Sequence, residues 1–319
     1  MPTPRGRRRS PTLGEREFHR WVRSHLPAGH SGLLPIGDDA AALPVGENRL
    51  VLLSSDALIE AVHFRRATPP SLIGEAATAV NLSDIAAKGG RPAAILVDLL
   101  APPGTPARWA RAVVRGAERM AARFGCHVVG GDTKPSATRT VVGVSVGWAG
   151  SGPLPARSGA LTGDWVVTTG CVGFGGATRT NTSASLRIVP RVREGQLLAR
   201  FAHAMTDTSD GVADAAHLVA EASHRRIVLE ADRLPLHPRI QRSRRPRAQK
   251  LRVAFYGGDY ELFATVDPTK LPTASAALRR VGCPLTVIGR VEKGRGAWLE
   301  RRGRQVPLPR AGWRHFVSA

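Results

Sequence analysis

Apolar positions along this chain fall into two rhythms: short continuous runs of strand length, and longer stretches in which they recur every three or four residues. The runs "LVLLSSD" (50–56), "AAILVDLL" (93–100), "CHVVGGDT" (126–133) and "RTVVGVSVGWAG" (139–150) predict strands. One helical pattern precedes these runs and two lie between them. "TLGEREFHRWVRSHL" places Leu13, Phe18, Trp21, Val22, His25 and Leu26 near helical spacing. A second helix is predicted from Ser71, an N-cap after Pro69-Pro70, to Lys88, with Leu72, Ile73, Ala76, Ala77, Val80 and Ile85 on an apolar face. "PARWARAVVRGAERMAARFG" (106–125) predicts the third. "GSGPLPA" (150–156) breaks the pattern. Beyond it, "DWVVTTG", "RRIVLEAD" and "ELFATVD" predict strands, and "REGQLLARFAHA" (193–204) and "SDGVADAAHLVAEAS" (209–223) predict helices. The alternation implies an α/β (α+β) layer fold in two domains, 12–150 and 151–319, behind a disordered basic arm at 1–11.

Length and composition agree with a two-domain globular chain. The 319 residues are 42% hydrophobic, enough for sizeable cores. No apolar run approaches the roughly 20 residues that span a bilayer, and "MPTPRGRRRS" has charge without an apolar stretch behind it, so a cytoplasmic chain with no membrane partner is expected. Cys126, Cys171 and Cys283 lie far apart, which argues for core thiols rather than zinc or disulfides. The net charge of +21 raises nucleic acid as a partner. Five lysines, however, leave 41 arginines, the signature of a coding bias. "RGRRR" (5–9) and "RIQRSRRPRAQK" (239–250) read as an arm and a basic loop, so no specific nucleic-acid recognition is implied.

Against that basic background the acids are conspicuously placed. Only 25 Asp and Glu offset 46 Lys and Arg, yet acidic clusters stand where predicted strands end or chains turn. These are Asp38 and Asp39 in "PIGDDAA", Asp56 in "LLSSDAL", Asp132 in "VVGGDTK", and Asp207 and Asp210 in "TDTSDGV". Strand ends are where open α/β folds collect ligands. Hard oxygen donors without neighbouring His or Cys suit Mg²⁺, and such sites commonly serve phosphate-bearing substrates. Asp84, in "NLSDIAAKGG", lies inside a mostly apolar helix, where an unpaired carboxylate costs several kcal/mol. With Asn81 and Lys88 it forms a polar stripe. Spacing leaves two partners open for it: a metal shared with the other acids, or Lys88 one turn on. No Walker A, kinase or dinucleotide motif occurs, and "TGCVGFGGAT" alone is a weak phosphate signal.

The ordered series "GDDAA", "SSDALIEAVHF", "AVNLSDIAAKG", "VVGGDTK", "ARSGALTGDWVVTTG", "DTSDGVADAAHL", "GGDYELF" and "GWRHF" resembles the thiamine-monophosphate kinase family, within the aminoimidazole-ribonucleotide-synthetase-like superfamily. The likeness runs from about residue 12 to residue 316. It implies a two-domain fold of mixed sheets flanked by helices, and a homodimer formed through the N-terminal domains, with ATP and substrate near the interface. The implied reaction moves the γ-phosphoryl group of ATP to thiamine monophosphate. Carried over residue by residue, the metal ligands are Asp38, Ser54, Ser55, Asp56, Asp84, Asp132, Asp207 and Asp210, holding several Mg²⁺ ions; a monovalent cation is left open. Gly131, Asp132, Arg157 and Ser209 are the implied ATP contacts, and His63, Asp259 and Trp313 the implied substrate contacts. Asp84, Asp210 and Arg157 are expected to carry the chemistry.

The acceptor in such a reaction is a phosphate monoester whose second pKa is near 6, so no general base is needed. The difficulty is bringing two polyanions together, which metal ions and a guanidinium can offset. Three positions depart from the family pattern. "GGDYEL" replaces G-G-E-D-Y-E-L, "SSD" replaces S-T-D, and Lys88 stands where an apolar residue is usual. Two other readings are another ATP-using member of the superfamily with a different acceptor, and a non-catalytic nucleotide-binding protein on the same scaffold. The first Cys at 126 and the ending "FVSA" set the chain apart from the selenophosphate synthetases and hydrogenase maturation proteins.

Overall fold

A computed structural model describes residues 14–26, 34–46, 49–150 and 152–313. The basic arm, Leu13 and the last three residues of "GWRHF" lie outside them. Two sheets organise the chain. The first runs in the order Ala41–Pro44, Leu50–Ile59, Thr140–Trp148, Arg91–Ala101, His127–Gly130, with Thr133–Pro135 also pairing Arg91–Ala101. Leu50–Ile59 and Arg91–Ala101 both lie antiparallel to Thr140–Trp148, and His127–Gly130 is parallel to Arg91–Ala101. The second sheet has seven strands in the order Arg304–Pro307, Gly296–Arg301, Arg226–Glu230, Leu285–Glu292, Trp165–Thr169, Leu262–Val266, Ala202–Asp207.

The helix Pro70–Ala87 joins the two halves. It begins one residue before Ser71, with Pro70 in its first turn and Pro69 as its N-cap, since a proline lacks only an N–H that the first turn leaves unbonded anyway. Fourteen of its 18 residues are buried, as expected of a helix enclosed on all sides. One side packs on the helix Ala107–Arg123, and two glycines allow the approach. A Cβ on Gly74 would stand 1.9 Å from the Val113 carbonyl oxygen, and one on Gly116 would stand 1.9 Å from that of Ser71. Its last turn meets the helix Val192–Leu198, where a Cβ on Gly195 would stand 2.1 Å from the Ala86 carbonyl oxygen.

Three expected elements differ. The helix expected over 193–204 ends at Leu198, and Ala202–Asp207 is a strand with Ala204 and Met205 fully buried, because its apolar residues complete the edge of the second sheet. The basic loop at 239–250 contains the helix Pro238–Gln241 and the start of the helix Arg247–Ala254, ordered because Ile240, Leu251 and Ala254 bury against the C-terminal core. The first helix, Glu15–His25, leaves Phe18 and Trp21 about half exposed, stacked on each other at 6.3 Å. Among the cysteines, Cys126 and Cys283 are buried and Cys171 is half-buried. No helix among the described residues is long and apolar enough to cross a membrane.

Candidate functional site

Four segments converge where the two sheets meet the central helix. Leu50–Ile59 alternates faces, so Ser54 and Asp56 share one side while Ser55 faces the other and is exposed. The Ser54 hydroxyl donates to Asp84 Oδ2. Asp207 ends the edge strand of the second sheet and accepts from the Ser83 hydroxyl at 2.6 Å and the Ser209 hydroxyl at 2.8 Å. Asp39, in the turn before Ala41–Pro44, completes the group: single carboxylate oxygens of Asp39, Asp84 and Asp207 all lie within 4.8 Å of one another.

The three carboxylates are not alike. Burial would raise Asp39, but the Arg157 guanidinium and the Lys88 ammonium more than offset it and hold this carboxyl well below the usual range. Asp84 is pushed well above its ordinary value by burial, then by the charges of Asp207 and Asp39, against the Ser54 hydrogen bond. Asp207 is raised by burial and by Asp39, opposed by Ser83 and Ser209. Lys88 does not pair with Asp84. Its ammonium lies 2.5 Å from Asp38 Oδ1 and 2.8 Å from Asp39 Oδ2. Asp84, half-buried, and Asp207, buried, are thus two neighbouring carboxylates whose ionisation each resists in the other, and among the described residues no cationic side chain forms an ion pair with either. The donor set is all oxygen, and its Asp84 and Asp207 members lack the organic cations that Asp39 has, which fits a hard divalent metal.

Arg157 enters from the C-terminal half. Its Nη2 donates to Asp39 Oδ1 at 2.6 Å, its Nη1 to the Gly37 carbonyl at 2.6 Å, and its backbone N–H to Asp38 Oδ2 at 2.8 Å. Thr206 adds a hydroxyl to Asp39 Oδ1 at 2.7 Å.

Beside the carboxylates opens a cavity of about 340 Å³ lined by Asp56, His63, Ser209, Asp210, Tyr260 and Trp313, among others. Trp313 lies 6.2 Å from the His63 ring and meets Tyr256 edge-on at 5.8 Å. The Ile59 backbone N–H donates to His63 Nδ1 at 3.0 Å, so Nδ1 is the unprotonated nitrogen and Nε2–H remains a donor. Tyr260, buried beside Asp56 and Asp207, is held well above the ordinary tyrosine range, by burial first and by those charges after it.

Sequence reasoning grouped the acids, Asp39 among them, but carried Asp38 and not Asp39 into the implied metal set, and it overlooked Tyr260. The doubled acid of "GDD" was the available signal for Asp39; Tyr260 is visible only from its neighbours. Asp259 lies apart from the cavity lining. Its carboxylate accepts from the backbone N–H groups of Gly173 at 2.7 Å and Gly175 at 3.2 Å, and burial outweighs those bonds to push it up to about 7. The donors of the Gly-rich turn are therefore taken by a side chain. Gly131 and Asp132 also stand apart: Asp132 is exposed, 3.2 Å from Lys134, beyond the end of His127–Gly130.

Comparison with known proteins identifies the family and fold. Residues 37–150 match the family model for the AIR synthase related protein N-terminal domain, and residues 162–299 match that for its C-terminal domain. A thiamine-monophosphate kinase of Synechococcus elongatus is 33% identical over 93% of this chain and 99% of its own length. Another, from Escherichia coli K12, is 31% identical over 89% of this chain and 92% of its own. The solved structure of AaThiL complexed with AMPPCP and TMP superposes with a TM-score of 0.80 at 28% identity, covering 95% of this chain and 97% of that one. Matching both domain models and more than 30% identical to the two sequence relatives over most of their lengths, the chain belongs to the thiamine-monophosphate kinase family of AIR synthase related proteins.

Proposed function

We propose that this chain transfers the γ-phosphoryl group of ATP to the phosphate of thiamine monophosphate, giving thiamine diphosphate and ADP. The observation that carries the reading is the junction of an uncompensated carboxylate pair, Asp84 and Asp207, with a cavity walled by Trp313, Tyr256 and His63. The cavity offers aromatic faces for a flat cationic ring system, with His63 and Ser209 also in its lining. Asp39, Asp84 and Asp207, extended by Asp56 and Asp210 of the cavity wall, would hold Mg²⁺. When bound, the metal supplies positive charge that screens the two polyanions from each other.

The chain's own groups then have positioning work. The acceptor phosphate is mostly ionised at neutral pH and needs no proton taken from it. Asp84 and Asp210 act as anionic anchors at the seam of the two halves. Arg157, 19% exposed through its side chain, ties the Asp39 turn to the C-terminal sheet. Tyr260, kept neutral, adds a phenol to the cavity wall near the acids. Half-buried Val142, Val144 and Val146 alternate with buried positions on the outer face of the first sheet, which supports dimerisation through that sheet. Asp38, Ser55, Gly131, Asp132 and Asp259, implied as ligands or contacts, stand outside the carboxylate group and the cavity wall of a single chain; for Gly131 and Asp132, contact with ATP is the role a second copy would complete.

The test is direct measurement of ADP and thiamine diphosphate from ATP, Mg²⁺ and thiamine monophosphate. Stoichiometric appearance of both products is the expected result. ATP binding without product sinks the kinase reading in favour of a nucleotide-binding protein or a different acceptor.

A further inference from the structure

Lys88 stands where the family resemblance implies an apolar residue, and its ammonium is enclosed among oxygens. The residue caps the helix Pro70–Ala87, and its side chain is fully enclosed. Four oxygens surround Nζ: Asp38 Oδ1 at 2.5 Å, Asp39 Oδ2 at 2.8 Å, the Met205 carbonyl at 2.9 Å and the Pro155 carbonyl at 3.0 Å. A lysine ammonium has three N–H donors. They go to Asp38, Met205 and Pro155, and buried Asp39 Oδ2 receives charge contact but no hydrogen bond. Four oxygens thus surround a group with three N–H donors, one more than its hydrogen bonds serve. Their distances from Nζ exceed the roughly 2.0–2.1 Å that Mg²⁺ demands and suit a larger, weakly hydrated ion. This oxygen cage also spans the molecule, since two oxygens come from the 38–39 turn and two from the C-terminal half.

We propose that Lys88 is a tethered monovalent cation. Its ammonium fills a four-oxygen site that, with a neutral residue at 88, takes a free ion of potassium size, and it thereby frees the domain seam from dependence on monovalent salt. The same contacts hold the Asp39 turn against Asp84 and Asp207, so Lys88 is a positioning residue for the carboxylate group. This goes beyond the kinase reading and is tested without substrates.

The experiment compares thermal unfolding of the full wild-type chain with Lys88→Met and Lys88→Gln, without nucleotide or Mg²⁺. Potassium, sodium or lithium chloride is exchanged for tetramethylammonium chloride at constant ionic strength. The wild-type midpoint is expected to be the same in every salt. Both variants should melt about 10 °C lower in tetramethylammonium, the consequence of leaving buried carboxylates without their partner. They should recover most of that loss saturably in K⁺, and less in Li⁺. A structural filler role would give a loss that no cation repairs. Variants indifferent to the cation, variants that fail to fold even in K⁺, or a wild type that K⁺ stabilises as much as the variants, would each overturn the proposal. None of these outcomes depends on whether the chain phosphorylates anything.

Discussion

Replacing Asp84 with Asn should change stability in opposite directions depending on magnesium. Unit charges 4.8 Å apart, the outer limit for these carboxylate oxygens, repel by about 3.5 kcal/mol at an effective dielectric constant of 20. For Asp39 the repulsion is offset by Lys88 and Arg157; for Asp84 against Asp207 no such cation intervenes. A proton taken up by one of the pair relieves most of the strain, as the raised values of both groups indicate, so the net gain from Asp84→Asn is about 1–2 kcal/mol. The amide can keep the Ser54 hydrogen bond. In chelator the variant should therefore melt higher than wild type, by about 2–6 °C. Saturating Mg²⁺ at a hundred times its dissociation constant adds about 2.7 kcal/mol to wild type and little to the variant, so the order reverses. The sign with pH follows. A carboxyl raised in the folded state contributes stability that is complete below its unfolded value and is lost as pH rises through the folded one. The chelated wild type should thus weaken as pH climbs above the ordinary carboxylate range, and Asp84→Asn should weaken less. Differential scanning calorimetry across a Mg²⁺ titration reads all of this. A variant less stable than wild type in chelator, or one that gains as much from Mg²⁺, would refute the reasoning.

Other consequences are separable. Gly74→Ala should lower the melting temperature by the equivalent of about 1–3 kcal/mol or more, because its Cβ meets the Val113 carbonyl, whereas Gly152→Ala, in open space, should be neutral. Asp259, with a folded value near 7, should contribute stability that is present below its ordinary value and lost as pH rises toward neutrality; carbon-13 NMR of its carboxyl should show the titration, and Asp259→Asn should flatten that part of the pH–stability curve. Trp313→Ala should raise KM for thiamine monophosphate several-fold with kcat less affected, in line with loss of about 1 kcal/mol of ring contact, as steady-state kinetics would report.

Much of the frame could be read directly. Strand runs and helical spacing fall where the strands Leu50–Ile59 and Arg91–Ala101 and the helix Ala107–Arg123 form, because each buries one face and its period follows from that. The central helix, enclosed on all sides, was legible instead from the Pro69-Pro70 start and the uninterrupted run of helix-compatible small and apolar residues after it, and the ordered motifs pointed to the family. Errors came where burial overrode local pattern. "FAHAMTD" carries helix-forming residues, yet the sheet edge takes it as a strand, and the arginines at 239–250 masked the few apolar residues that order two helices.

For the site, the chain alone determined which residue types were present and that acids were spent at strand ends and on an apolar helix. It left Asp84 suspended between Lys88 and a metal, because one helical turn permits both. Tertiary structure removed Lys88 as that partner. Lys88 caps the helix and turns its ammonium into a cage drawn from residues 38, 39, 155 and 205, while Asp84 faces carboxylates from residues 39 and 207. Electrostatic partners are set by distances across the fold, and a 124-residue separation such as Ser83 to Asp207 leaves no local trace in spacing or composition.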